Sequence, residues 1–253
     1  MDIALSVVIP AYNEARRLPP YLASVRRYLA EHYPAGHEVI VVDDGSGDGL
    51  ADALAPLHAD WPALKVMRHP TNRGKGAAVR TGVLAARGEL LLFTDADGAT
   101  PIDQEAKLSE AIRAGAEVAV GSRLVAAEDV TRRRTVSRGL VGRTFARLVR
   151  RWFRTPVRDT QCGFKMFRRE AGRKLFSLSE ESGYLFDLEL LVLADRLGYR
   201  VAEVPVNWAD VPGGHLSPTK ECGRILLGLW RLRRRLFARK RPLSKGPGEG
   251  DSC

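Results

Sequence analysis

Short apolar runs that end in polar or acidic residues, each followed by apolar positions three and four apart, set the rhythm of the first 122 residues. Residues 5–10 (LSVVIP), 38–44 (EVIVVDD), 64–68 (LKVMR), 89–97 (ELLLFTDAD) and 117–123 (EVAVGSR) read as strands. Leu18, Leu22, Val25 and Leu29 mark an amphipathic helix within 14–32, and helices are expected over 48–59 and 75–87. Strands alternating with helices at this spacing predict an α/β fold with a mostly parallel, Rossmann-like sheet flanked by helices. Ligands of such sheets gather at the carboxyl ends of the strands. Here those ends read YNE, DDGS, DAD and GSR.

After residue 123 the alternation stops. Val141, Phe145, Leu148, Val149 and Trp152 form one stripe of a helix expected over 136–154. Residues 158–167 (RDTQCGFKMF) read as a loop entering a short strand. A helix over 185–197, a strand over 199–208, a loop over 211–218 and a helix over 220–238 complete the pattern. The chain is thus expected to hold one domain over 1–238, with a regular part (1–123) in which strands and helices alternate and a second part (124–238) in which they do not. Residues 239–253 have the composition of a disordered tail.

Charge sharpens this division. The net charge is +10, yet residues 131–158 hold ten arginines and no acid, and 231–241 hold seven Lys/Arg and no acid. The remainder is therefore net −7. Both basic stretches carry apolar side chains at helical spacing, including Trp152, Phe153, Trp230 and Phe237. That pattern suits interfacial helices on an anionic leaflet, or helices packed on the domain with solvated arginines. No apolar run approaches the roughly 18 residues of a membrane span, and no cleavable leader is apparent. Cys162, Cys222 and Cys253 are too few and scattered for a disulfide framework. A cytoplasmic protein is the expectation.

The strand ends carry the candidate chemistry. Asp95 and Asp97 stand one residue apart beyond an apolar strand and suit one hard cation, Mg2+ or Mn2+; the same DADG has turn chemistry. Asp43 and Asp44, before a Gly-rich turn, suit a base N–H or ribose hydroxyl, or a helix cap. Pro10, Tyr12 and Glu14 bring an aromatic face and a carboxylate to the same rim, although Glu14 also suits the start of a helix. Arg73 and Lys75 in NRGKG open a helix and suit phosphates, without Walker A spacing. No G-x-G-x-x-G follows the first strand, and the five histidines lack metal-ligand spacing.

In order, SVVIPAYNE, VIVVDDGSGDG, NRGKGAAVRTG, LLFTDADG, GSR, RDTQCGFKMF, LFDLELL and AEVPVNW resemble the inverting GT-A glycosyltransferases, with dolichyl-phosphate glucosyltransferases as the nearest likeness. The resemblance spans about residues 3–238, and it implies a nucleotide-sugar-binding part over 1–123 and an acceptor-binding part over 124–238. It implies that Pro10, Tyr12, Glu14, Val42, Asp44 and Lys75 hold the nucleotide sugar, and that Asp95, Ala96 and Asp97 hold it with the metal. It further implies that Arg123, Arg138 and Lys165 serve donor or acceptor phosphates, and that Asp159 and Asp97 stand near the reacting centre. It implies transfer of a hexose, glucose and UDP favoured, from a nucleotide sugar to a polyprenyl phosphate at the cytoplasmic face of an anionic membrane. Family members carry spanning helices that this sequence does not show, so peripheral contact or a membrane-protein partner is expected. A soluble or polymeric acceptor is the alternative. A non-catalytic nucleic-acid-binding protein is a more distant one, and it leaves the acidic strand ends unexplained.

Overall fold

The computed structural model describes residues 3–34, 36–125, 132–133, 149–153, 155–209, 211 and 218–238, the side chains of 132–133 and 218–225 excepted. Nine strands are described: β1 (Leu5–Ala11), β2 (His37–Asp43), β3 (Leu64–Arg68), β4 (Leu90–Thr94), β5 (Val118–Ser122), β6 (Arg132–Arg133), β7 (Phe164–Arg168), β8 (Val201–Pro205) and β9 (Trp208–Ala209). The longer helices are α1 (Leu18–His32), α2 (Leu50–Asp60), α3 (Lys75–Ala85), α4 (Glu105–Arg113), α5 (Arg169–Leu178), α6 (Phe186–Arg196) and α7 (Pro218–Ala238). Helix α1 begins at Leu18, the first residue of the apolar stripe, within the 14–32 segment where a helix is expected. Pro19 and Pro20 occupy its first turn, where a missing N–H costs nothing.

Seven strands form one sheet in the order β3-β2-β1-β4-β7-β5-β8. All pairs are parallel except those of β7, which runs antiparallel between β4 and β5. Alternate residues of the central strands feed two cores. Val8, Val42, Phe93 and Val120 pack with α3, α5 and α6. Val7, Ile9, Val41 and Leu92 pack with α1, α2 and α4 on the other face. Both faces are covered, which is why β1 and β2 read as unbroken apolar runs. The parallel α/β expectation holds. The antiparallel insertion and helices α4 and α5 add to it.

Helix α7 docks through Leu229, Leu232 and Leu236, all buried, and through Arg235, whose guanidinium donates to Glu189 at 2.7 Å. Of the helix expected over 136–154, only 149–153 is described. It is helical, and Val149 and Phe153 are buried in the core while Trp152 packs against it. The rest of that stretch, with Arg138, lies outside the described residues, as does the tail 239–253.

Candidate active site

The carboxyl ends of β1, β2 and β4 meet on one rim of the sheet, because these strands are parallel neighbours in near-perfect register. The β1 and β2 ends are tied directly: the Asp44 N–H donates to the Ala11 carbonyl at 2.8 Å. Asn13 takes a positive φ of 55° and accepts from the Gly47 N–H at 3.0 Å, so the two loops form one wall. Tyr12 projects from it, 43% exposed. Pro10 and Val42 pair across the strands and are buried, so they form the floor beneath the rim; Val42 has no exposed surface for a nucleotide to touch. Glu14 is held by Arg17 at 2.5 and 2.7 Å.

Asp43 and Asp44 diverge. Asp44 is buried and its oxygens are engaged: His69 Nδ1 lies at 2.6 Å, the Arg73 N–H donates to Oδ1 at 3.0 Å and the Gly74 N–H to Oδ2 at 2.8 Å. It fastens the loop leading into α3, a role the resemblance did not indicate. Asp43 accepts from the Ser46 N–H through Oδ1, but its buried Oδ2 has no hydrogen bond and only Arg68 Nε nearby at 3.4 Å. A buried carboxylate oxygen left in that state can accept from a ligand N–H or O–H once the groups that cover it move aside.

At the end of β4, Asp95 and Asp97 are both part-exposed, and Ala96 between them is buried. Asp97 Oδ1 accepts from the Ala99 N–H at 3.0 Å. Its carboxyl is raised above the usual aspartate range, first by burial and then by the like charge of Asp95. Lys75, the first residue of α3, places Nζ 2.6 Å from Asp95 Oδ1. Burial opposes the Lys75 charge, but the carboxylates of Asp95 and Asp187 hold its pKa above the ordinary value. Gly163 lies directly against Asp95: a Cβ there would overlap the carboxylate. The Asp95 N–H also donates to the Gly163 carbonyl at 3.0 Å, so the end of β4 is set by the turn into β7. Sequence reading missed Gly163 and Arg17; the glycine just before an apolar strand was the available signal.

Around β5 and β7 the structure shows how Asp159, Arg123 and Lys165 are held. Asp159 is buried and bidentate with Arg123, Nε to Oδ2 at 2.8 Å and Nη2 to Oδ1 at 2.9 Å, and the Arg123 N–H adds a third bond at 2.8 Å. Burial works against the Asp159 charge, but Arg123 more than compensates, so its carboxyl falls below the usual range. A carboxylate so held is a poor general base. Arg123 in turn is paired with Asp159 and lies over the Trp208 ring at 5.5 Å, so a phosphate would have to share it with that carboxylate. Lys165 has no exposed surface. It sits on β7 and donates to Asp187 Oδ1 at 2.5 Å and to the Cys162 carbonyl at 2.6 Å. No acceptor phosphate reaches it in this conformation. Burial also pushes the neighbouring Cys162 thiol up to about 12, which leaves it unreactive at neutral pH.

Residues at the β4 end fit a divalent metal. Two hard carboxylate oxygen donors stand beyond one strand, their mutual repulsion is visible in Asp97, and a lysine already serves as counter-ion. Among the described residues no cluster of three or more metal-ligating side chains occurs. A metal here would therefore complete its shell with water or with oxygens of a bound substrate.

The glycosyl transferase family 2 model matches residues 6–176. The chain is 39% identical over 245 residues to the dolichyl-phosphate beta-glucosyltransferase of Drosophila melanogaster, covering 90% of this chain and 75% of that protein. It is 37% identical over 253 residues to the human protein of the same name, covering 90% and 78%. Glucosyl-3-phosphoglycerate synthase from Mycobacterium tuberculosis, solved with Mn2+, UDP-glucose and phosphoglyceric acid, superposes with a TM-score of 0.66 at 21% identity, covering 93% of this chain and 80% of that one. That structural likeness bears out the GT-A fold.

Proposed function

The chain belongs to glycosyl transferase family 2 and is a glycosyltransferase, and on that premise we propose that it moves glucose from UDP-glucose to a dolichyl-type polyprenyl phosphate, with inversion. The observation that carries this reading is the under-compensated Asp95–Asp97 pair at the rim where β1, β2 and β4 end. In the reaction an acceptor phosphate oxygen attacks the anomeric carbon while the bond to the donor's diphosphate breaks. The acceptor is already ionised at neutral pH, so no residue has to remove its proton. The fork that confines Asp159 is compatible with that chemistry and unsuited to an alcohol acceptor, which needs a base. This favours a phosphate acceptor over a sugar or polymer hydroxyl.

Asp95 and Asp97 would hold Mg2+ or Mn2+, which when bound supplies charge stabilisation for the departing diphosphate. Asp43, through its unused Oδ2, takes a base or ribose contact, and Tyr12 offers a face for the base. Asp43→Asn should raise the donor KM with kcat little changed, because such a contact acts equally in ground and transition states. A fall in kcat at constant KM contradicts that role.

The acceptor's lipid tail requires an approach to the bilayer, and α7 offers a surface for it. Its docked face carries Leu229, Leu232 and Leu236, whereas Leu226, Leu227, Trp230 and Phe237 remain 45–50% exposed on another side. Arg234 stacks over Trp230 at 5.6 Å, and Arg196 and Arg233 flank Phe237 at 4.9 and 5.2 Å. Exposed aromatics among arginines suit the headgroup region of an anionic leaflet. Among the described residues no helix is long and apolar enough to cross a membrane. The test combines both claims: UDP-glucose and Mn2+ are given to the protein with polyprenyl phosphate in anionic or neutral vesicles. Lipid-linked glucose should form, and co-sedimentation should be stronger on anionic vesicles and weaken with salt. Transfer to soluble acceptors alone, with no vesicle binding, would sink the reading.

A further inference from the structure

We propose that Lys75 is a resident counter-ion that competes with the divalent metal for Asp95, so that metal binding becomes tight only when the donor's diphosphate is present. This rests on the metal-dependent reading above and concerns how the site is loaded.

The ammonium occupies the position at Asp95 that a cation would take, 2.6 Å from Oδ1. It is placed there by the scaffold as well as by attraction. Gly74 precedes it at a φ of 96°, a conformation open to glycine, and its Cα packs so tightly on the Ser182 carbonyl that no side chain fits. Gly76 packs as closely on the Glu181 carbonyl and Phe186. The Gly74 N–H is fastened to Asp44 at 2.8 Å. Lys75 Nζ also sits 5.3 Å from the centre of the Phe93 ring, and Asp187 attracts it from the interior. The lysine therefore belongs to a fixed helix start, while the carboxylate it faces is part-exposed.

The consequence is a conflict of charge. A divalent ion drawn to Asp95 and Asp97 meets a positive charge already bound to one of the two carboxylates. It must share that oxygen with the ammonium or displace it, and two cations at such separation repel strongly. A diphosphate removes the conflict, because its oxygens accept from Lys75 while binding the metal. Metal and nucleotide then strengthen one another's binding by the same factor, as linkage requires.

Mn2+ titration of the full chain, followed by electron paramagnetic resonance with and without UDP, tests this in the wild type, Lys75→Met, Lys75→Arg and Asp97→Asn. Lys75→Met should bind Mn2+ about tenfold more tightly than the wild type without UDP, and the gain conferred by UDP should shrink by a similar factor. Damage to the fold does not tighten metal binding, and a thermal melt of each variant checks the fold independently. Lys75→Arg keeps the charge and should bind Mn2+ as weakly as the wild type. Unchanged or weaker Mn2+ binding by Lys75→Met, or binding by Lys75→Arg as tight as Lys75→Met, overturns the proposal while the metal site stands. If the wild type binds no Mn2+ even with UDP, or Asp97→Asn binds it as well as the wild type, the metal reading fails and this inference with it.

Discussion

Two strand ends of the same sheet hold similar charges to opposite effect. At the end of β5, Asp159 meets Arg123 in a closed fork, both oxygens engaged and the carboxylate sealed from solvent. At the end of β4, Asp95 and Asp97 stand one residue apart, Lys75 forms its ion pair among the described residues with Asp95 at 2.6 Å, and the carboxyl of Asp97 is raised rather than lowered. A residue's motif does not say which kind it is. What separates scaffold from machinery is how many partners the fold already supplies, and whether any charge is left over for a ligand.

The contrast breaks most sharply at Asp97. Asp97→Ala should cost about a thousandfold in transfer rate with the fold intact, since it removes a ligand for the charge that meets the leaving diphosphate. Near-normal turnover in the variant, unaffected by EDTA, would place the chemistry elsewhere. Gly163→Ala is the next largest. It leaves every ionisable group in place but puts a methyl into the Asp95 carboxylate, and should lower Mn2+ affinity and activity by about 10- to 100-fold. If Asp95 tolerates it, the close approach has no bearing on the site.

Asp159→Asn should act on stability before activity. Losing the carboxylate of a mostly buried pair should cost about 2 kcal/mol, reduced from the fully buried case because the Arg123 side chain is 24% exposed. Turnover of the folded fraction should change only a few-fold. The pH dependence separates the two ends. The folded-state value of Asp159 is lowered, so its stabilisation is present above the unfolded value near 4 and lost as pH falls through the folded one. That of Asp97 is raised, so the metal-free protein is favoured by its protonation and loses that advantage as pH rises through the folded value. Urea unfolding of the wild type and Asp159→Asn between about pH 3 and 7 checks this. A large loss of kcat at unchanged stability would restore Asp159 as a base.

Much of the fold was legible because local chemistry and global placement agree. Val39 to Val42 and Leu90 to Phe93 are apolar on every position, as strands covered on both faces must be, and acids follow where the sheet ends. The direction of β7 was not legible. FKMFR carries no mark of running antiparallel, since that depends on how the chain returns from residues beyond β5. The burial of Lys165 was missed for a related reason. Its flanks Phe164, Met166 and Phe167 do signal burial, but its partner Asp187 lies 22 residues away. Arg123 and Asp159 are separated by 36 residues, whereas Arg158 is the neighbour of Asp159 in sequence. The residue pattern alone did not separate Asp43 from Asp44; the resemblance chose Asp44, and His69 and the Arg73 and Gly74 amides converge on that carboxylate.

The insertion of β7 between β4 and β5 also fixes an order of assembly. A chain emerging from its N-terminus can pair β2, β1, β3 and β4 once residue 94 is made, but β4 then presents an open edge until residues 164–168 arrive. Strand β5 does not cover it, because among the described residues β5 pairs with β7 and β8. An exposed edge on a parallel sheet invites association with other chains. The centre of the sheet thus closes only after the strands on both sides of it have been made, ahead of the outer strand β8 alone. Asp95, whose amide is held by Gly163, gains its final position only in that step, so refolding followed by Mn2+ uptake should lag behind refolding followed by burial of Trp61 on the β2 side.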